Sequence, residues 1–226
     1  MLSNRLKAIA LMVPECQTVA DIGCDHGKLA LWLLKNGRAQ YAICSDISAP
    51  SLEKARGLAV TMGLQHAVSL RVGSGFDVLK KGEADTAVIA GMGGVLMTSL
   101  LEQGKDRLPD TLVLACQRDP DVLRGWLVRN GFVISDEDIL LENRHYYQVI
   151  RAEKGPSPLL TDAELEFGPV LLVKKTEMLK SFVMQRIKQT KRIRSTLTTT
   201  DAAKKDELLS GINDRLRLYE EVLKCL

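Results

Sequence analysis

The chain has 226 residues, of which 46% are hydrophobic and 26% are charged, the balance of a folded globular protein. No apolar run approaches the roughly 18 residues that a membrane-spanning helix needs, so no membrane partner is predicted. The five cysteines form no CxxC pair and no metal-like spacing with the three histidines. We therefore expect reduced thiols in a cytoplasmic protein and no metal site.

Positive charge is concentrated in the last third of the chain. The net charge is +3, and residues 155–226 carry all of it, with 13 Lys and Arg against 10 Asp and Glu. No acid lies between Glu177 and Asp201, and the basic residues in this stretch are Lys180, Arg186, Lys188, Lys191, Arg192 and Arg194. A solvated helix face and a phosphate-contacting arm both account for such a run, and both remain open.

The first 154 residues alternate between strand-like and helical patterns. A helix capped by Ser3 is followed by predicted strands at 18–22, 41–45, 68–72, 86–90, 112–116, 132–135 and 147–152, and by helices at 29–36, 51–62, 95–103 and 121–130. This alternation predicts an α/β fold whose mostly parallel, seven-stranded sheet is covered on both faces. The last two strands have no helix between them, which predicts an antiparallel pair at one edge.

The segment KGPSP (154–158) is the predicted boundary between two domains, 1–154 and 155–226. Beyond Pro169 the apolar residues follow a heptad-like spacing. They are Leu172, Leu179, Val183, Thr190, Ile193 and Leu197. We predict two antiparallel helices, each about 40 Å long at 1.5 Å per residue, joined by a turn at TTTDA (198–202) and forming a coiled-coil hairpin.

The stretch VADIGCDHGKLAL (19–31) lies where the first strand turns into a helix. Gly23 permits a tight turn, and Gly27 permits close approach of the backbone to a ligand. The G-x-G-x-x-G spacing of dinucleotide sites is absent, and Asp21 and Asp25 would repel a phosphate. A ligand with a sulfonium and an ammonium fits better, which predicts an S-adenosylmethionine site. An ordinary turn with solvated acids is the alternative.

Three further strand ends support a nucleoside site. Asp46 can accept both ribose hydroxyls, Ser74 can hydrogen-bond the adenine, and Phe76 can pack on its face. The glycines of GMGG (91–94) indicate something large beside the backbone. The alternatives are a helix cap for Asp46, a plain glycine turn with Phe76 in the core, and glycines needed for helix packing. The predicted cofactor-binding residues are Asp21, Gly23, Cys24, Gly27, Asp46, Ile47, Ser74, Gly75, Phe76, Ala90 and Gly91.

The series VADIGCDHG, SDIS, VGSGFDVLKKGEADTAVIAGMGG and LVLACQ resembles the bacterial TrmK-type tRNA methyltransferases over nearly the full chain. The resemblance implies a Rossmann-like class I methyltransferase domain followed by a coiled-coil domain. It also implies S-adenosylmethionine-dependent methylation of N1 of adenine 22 in the D-arm of tRNA. The chain departs from the family pattern at Gly27-Lys28, at Ser74, and at Cys116-Gln117-Arg118-Asp119, where the family has LQPN.

The chemistry implied is positioning rather than base catalysis, because N1 of neutral adenine has a free lone pair. Asp25 is the candidate to stabilise the product's positive charge or to hold the donor's ammonium group. His26 is the candidate to orient the base or to accept a proton, with a plain turn residue as the alternative. Met92 completes the catalytic set. The predicted substrate-binding residues are Gly93, Gln117, Arg118, Arg186, Lys188, Lys191, Arg192 and Arg194.

Three other functions compete with this interpretation. A small-molecule methyltransferase would share the donor site but would not need the basic helices. A non-catalytic RNA-binding protein with a methyltransferase fold would fail to bind S-adenosylmethionine. An NAD oxidoreductase is disfavoured by the glycine spacing. A monomer that binds tRNA is favoured, although the helical hairpin offers a surface for dimerisation.

Overall fold

The computed structural model of the chain describes residues 2–197 and 202–226. The chain divides into two compact units, Met1–Leu159 and Leu160–Leu226. The first unit contains the sheet and the second is helical. No helix in the described part of the chain is long and apolar enough to cross a membrane.

The first unit is built on one seven-stranded sheet in the order β3-β2-β1-β4-β5-β7-β6. The strands are β1 (Cys16–Ile22), β2 (Ala39–Asp46), β3 (Val68–Val72), β4 (Thr86–Met92), β5 (Thr111–Cys116), β6 (Phe132–Glu142) and β7 (His145–Lys154). Strands β1 to β5 are parallel, whereas β7 runs antiparallel to both β5 and β6. The predicted α/β class, the strand number and the antiparallel edge pair are therefore confirmed.

Helices cover both faces of this sheet. They are α1 (Asn4–Met12), α2 (Lys28–Lys35), α3 (Ala49–Thr61), α4 (Gly94–Gln103) and α5 (Pro120–Arg129). The Ser3 and Ser48 hydroxyls cap α1 and α3 by accepting from a backbone N–H in the first turn. The central strands are apolar on both sides, as in the fully buried pair Val88 and Val113, because neither face meets water.

The edge hairpin is longer than the predicted strands 132–135 and 147–152. Strands β6 and β7 are joined by a two-residue turn, Asn143 and Arg144, whose φ angles are 51° and 66°, as a primed hairpin turn requires. The acidic residues of β6 interrupt the apolar alternation by which a strand is predicted, and one of them, Glu137, faces the interior. Its carboxylate pairs with the Arg124 guanidinium at 2.8 Å, and both side chains are fully buried.

The second unit contains α6 (Asp162–Phe167), α7 (Pro169–Lys174), α8 (Glu177–Thr196) and α9 (Ala202–Cys225). The prediction of a 40 Å first helix is wrong, since Lys175 adopts a left-handed φ of 49° and separates α7 from α8. The 20 residues of α8 span about 30 Å. The predicted turn at 198–202 lies outside the described residues, apart from Ala202, which begins α9.

Helices α8 and α9 pack against each other and run antiparallel, as predicted. Arg186 contacts Tyr219, whereas Arg194, further along α8, contacts Asn213, earlier on α9. The apolar stripe is only partly the predicted one, because Ile187 is buried while Ile193 is 56% exposed. Coiled-coil geometry itself stays a prediction.

Candidate active site

A cavity of about 520 Å³ lies at the carboxyl ends of β1, β2 and β4. Strand order reverses between β1 and β4, and in parallel sheets this switch point opens the crevice in which ligands bind. Twelve predicted residues line the cavity, namely Asp21, Gly23, Cys24, Asp25, His26, Asp46, Ile47, Ser74, Gly75, Ala90, Gly91 and Met92. The fold thus brings together the turns that follow four separate strands.

Asp21 supplies an unsatisfied negative group to this cavity. Its side chain is 4% exposed, and its Oδ2 has no hydrogen-bond partner among the described residues. Burial raises the pKa of Asp21 to about 7, and the negative charge of Asp46 adds to the effect. A buried carboxyl without a cation is poorly stabilised, so a positively charged ligand group at Oδ2 would supply what the protein lacks.

The turn after β1 is held against the end of β2. The backbone N–H groups of Gly23 and Cys24 both donate to the Ser45 carbonyl, at 2.8 and 2.9 Å. Asp25, whose φ is 50°, donates its N–H to Asp46 Oδ2 at 3.0 Å. The Ser48 N–H donates to Asp46 Oδ1 at 2.9 Å. Both oxygens of Asp46 are therefore oriented, and each keeps a lone pair that can accept a ribose hydroxyl.

Asp25 and His26 lie at the rim of the cavity. His26 Nε2 is 3.4 Å from Asp25 Oδ1, and the Ser51 hydroxyl donates to the same oxygen at 3.5 Å. The Asp25 side chain is 72% exposed, so water screens its charge. Both residues line the cavity and can contact a ligand where it opens to solvent.

The structure corrects the interpretation of Phe76. Its side chain is 1% exposed, and a Cβ placed on Gly104 would lie 2.4 Å from the Phe76 Cβ, so the ring packs inside. The short 3-10 helix Gly75–Val78 turns it away from the cavity. Ile47, which is 78% exposed and lines the cavity, offers an apolar contact for a base instead.

Gly27 is also absent from the cavity lining. It is buried with a φ of 62°, and a Cβ there would lie 3.0 Å from the Cβ of Ala55 on α3. The glycine is needed for close packing of the turn against α3, not for approach to a ligand. This part of the prediction is wrong because spacing alone does not show which neighbour requires the missing Cβ.

A second cavity of about 220 Å³ adjoins the first, and the two share Arg5, Gly91 and Met92. Its other lining residues are Gly93, Gln117, Arg118 and Tyr147. The three residues predicted to bind substrate in the first unit, Gly93, Gln117 and Arg118, are therefore brought together. Met92 lies at the junction between the two spaces.

The glycines of GMGG allow the loop after β5 to reach this junction. The Gly94 N–H donates to the Arg118 carbonyl at 2.8 Å. A Cβ on Gly94 would lie 2.0 Å from the Asp119 carbonyl oxygen, closer than real atoms approach. Asp119 itself has a left-handed φ of 57°. The close contact between 93–94 and 118–119 therefore explains the glycine at position 94.

Several lining residues were not among the predicted site residues. Arg5 and Leu6 come from α1, which precedes the motifs, and Tyr147 comes from the edge strand β7. The remaining ones are Ile22, Lys28, Leu29, Gly73, Leu96 and Leu100. No motif includes Arg5, and only the packing of α1 beside β6 and β7 places it in the site.

The predicted basic run on α8 contains some residues that form ion pairs within the second unit and others that are exposed without such a partner among the described residues. Arg186 pairs with Glu166 at 2.6 Å and is half-buried against Tyr219. Lys191 pairs with Glu220 at 2.7 Å, whereas Lys188 and Arg192 are exposed. Arg186 therefore serves internal packing of the second unit, which removes it from the predicted tRNA-contacting set.

Comparison with known proteins gives consistent matches. Residues 19–217 match the family model described as TrmK, tRNA (adenine(22)-N(1))-methyltransferase. A tRNA (adenine(22)-N(1))-methyltransferase of Bacillus subtilis is 33% identical over 98% of this chain and 97% of its own length. The crystal structure of the B. subtilis m1A22 tRNA methyltransferase TrmK superposes with a TM-score of 0.90 at 33% identity, covering 99% of each chain.

A second solved structure shows a bound ligand. It is Streptococcus pneumoniae Sp1610, a putative tRNA (m1A22) methyltransferase in complex with S-adenosyl-L-methionine. It superposes with a TM-score of 0.87 at 27% identity and covers 99% of this chain and 100% of its own.

Proposed function

The chain belongs to the TrmK family of tRNA (adenine(22)-N(1))-methyltransferases, and we propose that its two cavities divide the reaction between them. Its activity is S-adenosylmethionine-dependent methylation of N1 of a tRNA adenine. The first cavity takes the methyl donor and the second takes the target base. Their shared residues mark the place where the methyl group passes.

The orphaned Oδ2 of Asp21 is the observation that carries this assignment. S-adenosylmethionine supplies a methyl group on a positively charged sulfur and carries an ammonium group. A buried carboxyl that lacks a cation fits such a ligand. Asp46 would hold the ribose, Ser74 and Ile47 the adenine, and Gly91 and Met92 the region around the methyl group.

The target adenine would occupy the second cavity with N1 towards Met92. Its lone pair attacks without prior deprotonation, so the task of Gly93, Gln117 and Arg118 is to position the base. The adenine ring becomes positively charged as the methyl group is transferred. Asp25 and His26 line the first cavity and not the second, so they would stabilise that charge or orient the base from the donor side.

Exposed cations on α8 would contact the tRNA backbone. Lys188 and Arg192 are exposed, and Lys191 and Arg194 have only partners at the surface. Extracting an adenine from a paired arm costs a few kcal/mol, which phosphate contacts can offset. We further infer a monomer acting in the cytoplasm, where its tRNA substrate is found.

The test is methyl transfer from labelled S-adenosylmethionine to unmodified tRNA transcripts, followed by digestion and identification of the nucleoside. We expect N1-methyladenosine, and we expect it to disappear when adenine 22 is replaced by guanine. The variant Gly57→Ala, in which the new Cβ meets no atom within 4 Å, should fold and methylate as the wild type does. It serves as the control for the effects of substitution and purification on activity. Intact cofactor binding without incorporation into any tRNA would overturn the proposal.

A further inference from the structure

Arg5 is the one cation that lines both cavities among the described residues. It lies in the first turn of α1, outside every motif that defines the donor site, and its side chain is 23% exposed. Burying an arginine at the junction of the proposed donor and acceptor sites costs free energy unless the guanidinium is paired. Its partners show how it is held.

Glu142 and Tyr147 fix the Arg5 side chain from two sides. The Arg5 backbone N–H donates to Glu142 Oε1 at 3.2 Å, and its Nε donates to Oε2 at 3.3 Å. The guanidinium carbon lies 4.9 Å from the centroid of the Tyr147 ring. Three elements, α1, β6 and β7, therefore determine the position of one guanidinium.

The outer nitrogens of Arg5 remain available. Among the described residues, Nη1 and Nη2 have no hydrogen-bond acceptor, since Glu142 is bound through Nε and the backbone. Nη1 lies 3.9 Å from the position that a Cβ on Gly91 would occupy. Nη1 therefore lies beside the glycine-rich end of β4, while one face of the guanidinium packs on the Tyr147 ring. Arg5 and Gly91 line both cavities, whereas Tyr147 lines the second and not the first, so the guanidinium borders the second cavity at its junction with the first.

We propose that Arg5, backed by Tyr147 and oriented by Glu142, forms the wall of the second cavity against which the flipped adenine nucleotide is positioned. This inference rests on the proposed function of that cavity. A planar guanidinium offers a flat surface for a base and donors for a phosphate or ring nitrogen. Glu142 balances the charge of Arg5, so the wall does not repel the positively charged product ring. Arg5 contacts substrate, whereas Glu142 is a positioning residue.

The experiment compares Arg5→Ala and Arg5→Lys with Lys7→Ala, a control on the exposed side of the same helix. Each variant is measured for kcat/KM with tRNA and for S-adenosylmethionine affinity by calorimetry. We expect both Arg5 variants to lose about tenfold or more in kcat/KM for tRNA, since lysine keeps the charge but not the plane. We expect their cofactor Kd to stay within about twofold of wild type.

Variants of the supporting residues separate positioning from folding. Tyr147→Leu should lose more tRNA activity than Tyr147→Phe, which keeps the ring under Arg5. Glu142→Gln, which keeps one acceptor, should raise KM for tRNA more than it lowers kcat. Thermal melting of each variant identifies loss of fold, and Arg5→Lys keeps the test decisive if Arg5→Ala unfolds.

The outcomes distinguish this inference from the function on which it rests. A wild-type protein that methylates no tRNA contradicts the proposed function. Wild-type tRNA kinetics in Arg5→Lys and Arg5→Ala, with an active parent enzyme, overturn the inference alone. A raised Kd for S-adenosylmethionine with unchanged KM for tRNA also overturns it, and would move Arg5 to the carboxylate end of the methyl donor.

Discussion

Asp21 combines a structural cost with a proposed binding role. Its pKa is raised from 3.8 to about 7, chiefly by burial. The unfolded chain ionises first as pH rises, so the folded state loses stability between pH 3.8 and 7, by up to about 4 kcal/mol at about 1.4 kcal/mol per unit. A cation bound at Oδ2 reverses this penalty. The residue that weakens the empty protein is thus the one expected to strengthen its complex.

Cofactor affinity should therefore depend on pH through Asp21. At pH 5.5 the carboxyl is mostly protonated, and S-adenosylmethionine must displace that proton in order to bind. We expect the Kd to fall by roughly 20-fold between pH 5.5 and 7.5 in the wild type, because the ionised fraction of a carboxyl with a pKa of about 7 rises from about 3% to about 75%. Asp21→Asn should bind weakly with little pH dependence, as calorimetry at each pH will show. An equal pH dependence in both proteins would contradict the role of Asp21.

The pKa of Glu83 is lowered, whereas that of Asp21 is raised, so Glu83 contributes stability at high pH and loses it at low pH. Two hydrogen bonds from Arg71, and one from the Lys80 backbone, lower the pKa of Glu83 from 4.5 to about 2. The stabilisation is complete above pH 4.5 and is lost as pH falls towards 2. This ion pair closes the segment that contains Gly73 and Gly75, which border the first cavity.

We expect Glu83→Gln to lower the free energy of unfolding by about 1 kcal/mol at pH 7. Near pH 2.5 the difference from wild type should be small, because Glu83 of the unfolded chain is then protonated and most of the linked stabilisation has been lost. Urea unfolding at both pH values is the measurement. Glu53→Gln, which removes an exposed pair with Arg56, is the control and should have little effect. An undiminished difference at pH 2.5 would rule out the ion pair as the cause.

At the scale of elements, the second cavity depends on the contact between the end of β4 and the loop before α5. Gly94→Ala would place a Cβ 2.0 Å from the Asp119 carbonyl, so the loop must move. We expect a loss of about 1–3 kcal/mol in stability from this overpacking. The loss in tRNA methylation should exceed the loss in cofactor affinity, since Gln117 and Arg118 lie on the displaced loop.

The control for this change is Gly57→Ala in α3, where a Cβ meets no atom within 4 Å. Alanine should stabilise that helix by about 1 kcal/mol and leave methylation unchanged. Urea unfolding and kcat/KM for tRNA, measured on both variants, separate local fit from the general effect of replacing glycine. Normal tRNA kinetics in Gly94→Ala would show that the loop position does not matter to the reaction.

The elements also show what the sequence could predict. Strand ends and the turns that follow them were predictable because alternation and glycine are local signals, and these brought Asp21, Asp46 and Gly91 to one cavity. The length of β6 was not predictable, because its buried Glu137 forms an ion pair with Arg124, which lies on α5. The break at Lys175 was equally hidden, since a non-glycine residue with positive φ has no local signature.

Side-chain direction and long-range packing set the other limits. Phe76 was expected against a ligand, but the short helix that contains it turns the ring into the core. Arg5 was missed because its place in the site depends on β6 and β7, more than 130 residues later in the chain. Sequence motifs thus predicted most of the lining of the first cavity, whereas Arg5 and Tyr147 reach the second cavity only through tertiary contacts.

At the scale of the whole molecule, the two cavities and the acid-free basic run belong to different units of the chain. Residues in Met1–Leu159 line both cavities, whereas Lys188 and Arg192 lie in Leu160–Leu226. A small-molecule methyltransferase would have no use for exposed cations in a second unit. A tRNA enzyme would use them to hold phosphates, and its affinity would fall steeply with salt.

The double variant Lys188→Ala/Arg192→Ala tests this division. If both residues contact phosphates, the slope of log K against log salt for tRNA binding should become less steep by roughly 1.4–1.8, because each contact contributes about 0.7–0.9. The KM for tRNA should rise while S-adenosylmethionine affinity stays unchanged. Arg215→Ala/Arg217→Ala, an equal loss of charge on exposed positions of α9, is the control. Equal effects from the two pairs would show that net charge attracts the tRNA, and only a larger effect at Lys188 and Arg192 locates the contact on α8.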